Sequence, residues 1–157
     1  MKPRIRVGLL VGIISLIVNV IVSAAFGICG PFVILLAGAV AGFISAQQEK
    51  AASKSDGARL GAVSGVIAGV LAAIGQLLGG ITALAYIQFS GVKLGFGTVP
   101  PPSADASQQA LYYLSGAGTA LCFGLFGLVL AALAGAATGY VGTSGTVETP
   151  QPPQIGQ

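Results

Sequence analysis

The sequence has no histidine and no tryptophan, and charged residues make up only 7% of it. A soluble domain carries about 25% charged residues, so this chain has too few to cover a surface that faces water. Hydrophobic residues make up 54% of the 157 residues, and the mean hydropathy is +0.90. This composition predicts an integral membrane protein whose first partner is the lipid bilayer.

Side chains that catalyse reactions or hold metals are equally scarce. The spacing of the two cysteines, Cys29 and Cys122, matches no zinc-binding pattern. The long apolar runs contain none of the ionisable residues that mark proton relays and coupled transport in membranes. The sequence also lacks a carboxylate pair, a nucleophile paired with a base and a phosphate-binding loop after a strand. We therefore expect no catalytic residue, no cofactor, no metal site and no enzyme activity.

Four apolar runs are long enough to cross the bilayer, which takes about 20 helical residues for about 30 Å of hydrocarbon. They predict spans at about residues 7–27, 29–46, 60–88 and 114–141. A polar, charged loop follows the second span, and a Gly/Pro-rich loop follows the third. The predicted fold is an all-α four-helix transmembrane bundle in residues 1–142, followed by a disordered cytoplasmic tail in residues 143–157.

Basic residues indicate the orientation of the bundle. Six of the seven lie before span one or between spans two and three: Lys2, Arg4, Arg6, Lys50, Lys54 and Arg59. By the positive-inside rule, both termini lie in the cytoplasm and the protein is a multi-pass protein of the cytoplasmic membrane. The two clusters form no stripe with aromatics, which argues against nucleic-acid binding. A cleaved secretory signal ending at VSA before Ala25 is the alternative for span one, although its apolar run exceeds the usual 7–15 residues.

The two halves of the chain contain similar short sequence motifs. Span one starts with Arg6-x-Gly8-x-x-x-Gly12-x-Ile14, and span three starts with Arg59-x-Gly61-x-x-x-Gly65-x-Ile67. LAGAVAGFI at residues 36–44 likewise matches LAGAATGYV at residues 133–141. We predict two helical hairpins that form a parallel repeat, with chance similarity between Gly/Ala-rich helices as the alternative. Cys29 and Cys122 then occupy comparable positions, where they either pair or act as small apolar side chains.

Small residues recur every three or four positions in each span. No hydrophobic force draws helices together in lipid, so small residues stabilise contacts by letting two backbones approach closely. The predicted helix-packing residues are Gly8, Gly12, Gly38, Gly42, Gly61, Gly65, Gly69, Gly124 and Gly135. These faces either close one monomeric bundle or join the chain to further copies or to another membrane protein.

Asn19 and Gln76 are the strongly polar side chains deep in the predicted spans. Each lies on the order of 20 Å above the cytoplasmic start of its span, at 1.5 Å per residue. Their shared depth predicts a mutual hydrogen bond worth about 0.6–2 kcal/mol. The alternative is a polar lining for a solute or ion path.

The words CGPFVILLAGAVAGF and RLGAVSGVIAG lie within about residues 27–75. They resemble small prokaryotic multi-pass membrane proteins of unknown function, which share a Cys-Gly-Pro helix start and glycine-zipper helices. The resemblance implies a membrane bundle and carries no activity. The sequence therefore favours a structural or accessory membrane protein, with an oligomeric pore or facilitator for a small solute or ion as the alternative. A phage-type lysis pore is disfavoured by the nearly uncharged tail.

Overall fold

The computed structural model describes residues 2–26, 29–91 and 99–143. Within these ranges it has four helices and no strand: α1 Pro3–Phe26, α2 Gly30–Gln48, α3 Lys54–Ser90 and α4 Ala106–Gly142. Each helix is long and apolar enough to cross a membrane. The predicted all-α class with four spanning helices is confirmed. Gly27, at the end of predicted span one, and residues 144–157 of the predicted tail lie outside the described residues.

Helix α3 begins well before its apolar run because the residues ahead of that run form a capped first turn. The Ser53 hydroxyl oxygen accepts a hydrogen bond from the backbone N–H of Asp56 at 3.1 Å. It also donates to the Asp56 carboxylate at 2.7 Å, and that negative charge is favourable at a helix N-terminus. The helix ends at Ser90, and the capping residue Gly91 has a φ of +66°, a left-handed conformation that glycine adopts without strain.

Helices α2 and α3 form the middle of the bundle. Each of them contacts all three other helices, whereas α1 and α4 do not contact each other within the described ranges. If the two hairpins were equivalent, α1 would contact α4 in the same way as α3 contacts α2. The repeat therefore stays a prediction from the sequence, and the packing around it is not symmetric.

Contacts between segments of neighbouring helices give the helix directions. The contacting segments are residues 8–12 with 67–71, residues 38–42 with 131–135, and residues 57–61 with 139–135. In the first two pairs, the residue numbers rise together along both helices. In the third pair they rise along α3 while they fall along α4, because Gly57 contacts Gly139 and Gly61 contacts Gly135. Helices α1 and α3 are therefore parallel, α2 and α4 are parallel, and α3 and α4 are antiparallel.

The core consists almost entirely of small side chains. Its buried apolar members are Ile34, Ala37, Ala41, Ala68, Ala72 and Ala131. Ile34 is the largest fully buried side chain among the described residues. Leucines, isoleucines, valines and phenylalanines point outwards on all four helices. This pattern suits a bilayer, because lipid tails accept large apolar side chains and small residues let the backbones touch.

Candidate functional site

Gly135 of α4 lies where three helices meet. A Cβ atom at this position would lie 2.5 Å from the Gly61 carbonyl oxygen of α3 and 3.1 Å from the Gly38 carbonyl oxygen of α2. It would also lie 3.1 Å from the Gly65 Cα atom. The backbone of α4 is thus wedged between α2 and α3 with no room for a side chain. We call this contact the Gly135 junction.

The predicted glycines of α2 and α3 face the same part of α4. Positions for added Cβ atoms at Gly38 and Gly42 collide with the backbone of Ala131 and Gly135, respectively. An added Cβ atom at Gly65 would lie 2.7 Å from the Ala131 carbonyl oxygen. The row that begins with Gly57 and Gly61 therefore packs against α4, and Gly69 continues it against the Ala131 side chain at 2.9 Å.

Glycines of α1 and the second half of α3 join these two parallel helices. A Cβ atom at Gly8 would lie 3.0 Å from the Ser64 carbonyl oxygen, so the α1 backbone approaches α3 closely. A Cβ atom at Gly12 would lie 3.1 Å from the Cα atom of Ala68 in α3. Sequence reasoning missed Gly75 but included Gly79 in the small-residue row of span three. Added Cβ atoms at Gly75 and Gly79 would lie 2.5 and 2.6 Å from α1 carbonyl oxygens. Their four-residue spacing was the available signal.

Gly124 is the predicted packing residue with the loosest surroundings. Its Cβ position is 3.5 Å from the nearest side-chain atom, on Ala73, which is ordinary van der Waals contact. Nothing within 4 Å surrounds the Cβ position at Gly118, on an exposed side of α4. The part of α4 whose backbone approaches other backbones closely therefore lies after Gly124 and includes Gly135.

Asn19 connects α1 to α3 in the interior. Its side chain is 0% exposed, its Nδ2 donates to the Ala72 carbonyl oxygen at 2.7 Å, and its Oδ1 accepts from the Ser23 hydroxyl at 3.1 Å. The predicted hydrogen bond between Asn19 and Gln76 is absent from the described part of the chain. The two residues share a depth, but Gln76 faces α2 whereas Asn19 faces Ala72.

Gln76 lies against the first turn of α2. Its Cδ atom is 2.6 Å from the Cβ position at Gly30, so only a glycine leaves room for this amide. The side chain is 3% exposed, and its Oε1 has no hydrogen-bond partner within the described ranges. Leaving a buried amide oxygen unbonded costs about 1–3 kcal/mol, so this atom is the interior group best suited to accept a hydrogen bond from a small polar molecule.

Hydroxyl groups also connect α2 to α3 and α4, through hydrogen bonds that sequence reasoning did not predict. The Ser45 and Ser64 hydroxyls are 2.8 Å apart, and Ser64 also donates to the Ala41 carbonyl oxygen at 3.0 Å. Thr138 of α4 donates to the Ala39 carbonyl oxygen of α2 at 2.7 Å. Because each of these groups bonds to protein atoms, they have a clear structural role.

The bilayer-facing surface has shallow hollows with apolar walls. One of about 330 Å³ lies between α1 and α2, and one of about 220 Å³ lies between α3 and α4. A third, of about 480 Å³, lies on α4 beside Cys122. Neither Asn19 nor Gln76 lines any of the three, so the interior polar groups are separated from these hollows.

The two cysteines are both free and exposed. Cys29 precedes α2, and Cys122 lies on the outer surface of α4. They form no disulfide with each other, which answers the question that the sequence left open. The described residues also contain no group of three or more His, Cys, Asp or Glu side chains that could hold a metal ion.

The far end of the α3–α4 hairpin is fixed by glutamine side chains. Tyr113 donates its hydroxyl hydrogen to Gln88 Oε1 at 2.7 Å, and Gln88 Nε2 donates to the Pro100 carbonyl oxygen at 3.2 Å. Gln109 Nε2 donates to the Pro102 carbonyl oxygen at 2.7 Å. These bonds hold the described part of the proline-rich loop against the two helix ends.

Comparison of the chain with protein families, with characterised proteins and with solved structures finds no match. The resemblance to Cys-Gly-Pro membrane proteins therefore stays a prediction. Function has to be inferred from the residues and their contacts, above all from the Gly135 junction and the interior amides.

Proposed function

We propose that this small integral membrane protein has a structural or accessory role, and that its Gly, Ala and Ser faces hold its own four helices together. The observation that carries the proposal is that the glycine rows pack against other helices of the same chain. The row of α3 packs on α4, the row of α2 packs on α4, and Gly8 and Gly12 pack on α3. A chain that uses these faces internally presents a mostly apolar surface to lipid or to a membrane partner.

We expect the purified protein to be a monomer in mild detergent and in nanodiscs. The physical reason is that the Gly135 junction leaves no glycine row of α2 or α3 open to a second copy. Light scattering or native mass spectrometry should give a protein mass of 15.4 kDa per particle. A stable dimer or larger ring across a range of protein concentrations would contradict the proposal.

The second candidate function is a pore or facilitator for a small solute or ion, formed by several copies. The Oε1 of Gln76 favours it, because this buried amide oxygen has no hydrogen-bond partner among the described residues and can accept a hydrogen bond from a passing solute. The bonded amide of Asn19 and the apolar outer surface count against it. A ring of such chains would enclose a space lined mainly by Leu, Ile, Val and Phe.

We expect liposomes that contain the protein to release a small ion or a neutral solute no faster than empty liposomes. The measurement is dye or ion efflux at several protein-to-lipid ratios, with a known pore protein as the positive control. The matched variant carries Asn19→Leu and Gln76→Leu together. Efflux by the wild type that this double variant abolishes would overturn the structural proposal and establish the pore.

A further inference from the structure

In the repeated motif Arg-x-Gly-x-x-x-Gly, the arginine lies on the opposite side of the helix from the glycines. Successive residues in an α-helix are about 100° apart, so an arginine two positions before a glycine lies about 200° around the axis from it. In α1 the glycines face α3, and in α3 they face α4. The arginines, Arg6 and Arg59, therefore lie on the sides of α1 and α3 that face away from these neighbours, and both are exposed.

Both arginines continue rows of exposed apolar residues. Arg6 stands at the end of the row formed on α1 by Leu10, Ile13, Ile17 and Ile21. Arg59 stands at the end of the row formed on α3 by Val63, Val66, Val70 and Ile74. These rows face lipid, and because α1 and α3 are parallel, both arginines mark the same end of the bundle. Their charged groups thus stand at the ends of the two apolar rows, at one end of the bundle.

Two carboxylates among the described residues at this end of the bundle, Glu49 and Asp56, accept hydrogen bonds from groups other than Arg6 and Arg59. Glu49 accepts a hydrogen bond from the backbone N–H of Arg4 at 2.9 Å, which caps the start of α1. Asp56 accepts the Ser53 hydroxyl at 2.7 Å in the cap of α3. In the ranges that the structure describes, neither Arg6 nor Arg59 forms an ion pair. Within the described residues, the two exposed guanidinium groups therefore have no carboxylate partner.

We propose that Arg6 and Arg59 bind the phosphate groups of anionic phospholipids in the leaflet at the end where α1 and α3 begin. An arginine guanidinium offers paired donors that match phosphate oxygens, and its aliphatic stem packs along the apolar row below it. Attraction to an anionic leaflet is worth about 1 kcal/mol for each basic residue near the surface, which corresponds to about a fivefold change in affinity.

The test uses the full-length protein in nanodiscs of phosphatidylcholine alone and of equal parts phosphatidylcholine and phosphatidylglycerol. Native mass spectrometry counts the phosphatidylglycerol molecules retained, and thermal unfolding measures their stabilising effect. We expect the wild type to retain phosphatidylglycerol in preference to phosphatidylcholine. Arg6→Gln and Arg59→Gln should each weaken that preference about fivefold, whereas Arg6→Lys and Arg59→Lys should keep most of it. Inorganic phosphate added to the neutral nanodiscs should give no stabilisation.

Lys50→Gln is the matched control, because it removes one positive charge from an exposed loop position at the same end of the bundle. Because Lys50 continues neither exposed apolar row, its loss should lower the retained phosphatidylglycerol less than either arginine substitution does. An equal loss in Lys50→Gln and the two arginine variants would show a general effect of net charge and overturn the proposal. So would an unchanged lipid preference in an Arg6→Gln, Arg59→Gln double variant that melts normally in phosphatidylcholine.

Discussion

Replacing Gly135 by leucine is expected to lower the free energy of unfolding by more than about 3 kcal/mol. Even the first atom of a new side chain would lie 2.5 Å from the Gly61 carbonyl oxygen, and the neighbours on both sides are backbone atoms that cannot rotate away. Overpacking of a core costs about 1–3 kcal/mol when side chains can adjust, so a wedge between three backbones should exceed that range. Equilibrium unfolding in mixed micelles, followed by circular dichroism, gives the measurement.

Gly118→Leu is the matched control on the same helix. Among the described residues, no atom of another helix lies within 4 Å of its Cβ position, so leucine there faces the surroundings of the protein. Because glycine in a helix interior is less favourable than leucine by several tenths of a kcal/mol, this variant should be as stable as the wild type or slightly more so. Equal stability losses at Gly118 and Gly135 would show that α4 does not pack between α2 and α3 in this way.

Replacing Ile34 by alanine is expected to cost about 2–4 kcal/mol. The Ile34 side chain is 0% exposed, and its Cδ1 atom is 2.8 Å from the Cβ position at Gly127. Ile34 is the one large side chain in a core otherwise made of alanines in the described bundle. Its removal leaves a cavity that rigid, closely spaced helices cannot collapse to fill, and isoleucine-to-alanine changes in cores cost about 2–5 kcal/mol. Thermal melting in detergent measures the loss.

Leu36 lies two residues further along α2 and is 61% exposed, so Leu36→Ala removes a similar side chain from the lipid-facing surface. We expect a change within about 0.5 kcal/mol for this control. If the two alanine variants melted at the same temperature, the assignment of Ile34 to the core would be wrong.

The sequence was sufficient to predict the class of fold, and it places small residues on one side of each helix. Both follow from patterns that need no knowledge of neighbours: about 20 apolar residues for each span, and small residues on one side of each helix. Which helix each glycine-rich face packs against could not be predicted from these patterns. The row of Gly61 and Gly65 could have faced any other helix, and only the folded bundle places it on α4.

The interior amides show the same limit. Counting residues from the start of each span gives the depth of Asn19 and Gln76, because every helical residue rises 1.5 Å. The direction in which a side chain points depends on how each helix is rotated against its neighbours. That rotation places the Asn19 amide on the Ala72 carbonyl oxygen and the Gln76 amide on Gly30, so a bond expected from depth alone does not form.

The Gly135 junction also has a consequence for the order of assembly. Helix α4 is the last of the described helices in the chain, and membrane proteins are synthesised from the N-terminus. While α1, α2 and α3 are already in the membrane, Gly38, Gly42 and Gly61 have no α4 backbone against them. Until α4 enters, the nascent bundle exposes the two helix faces that α4 covers in the completed fold.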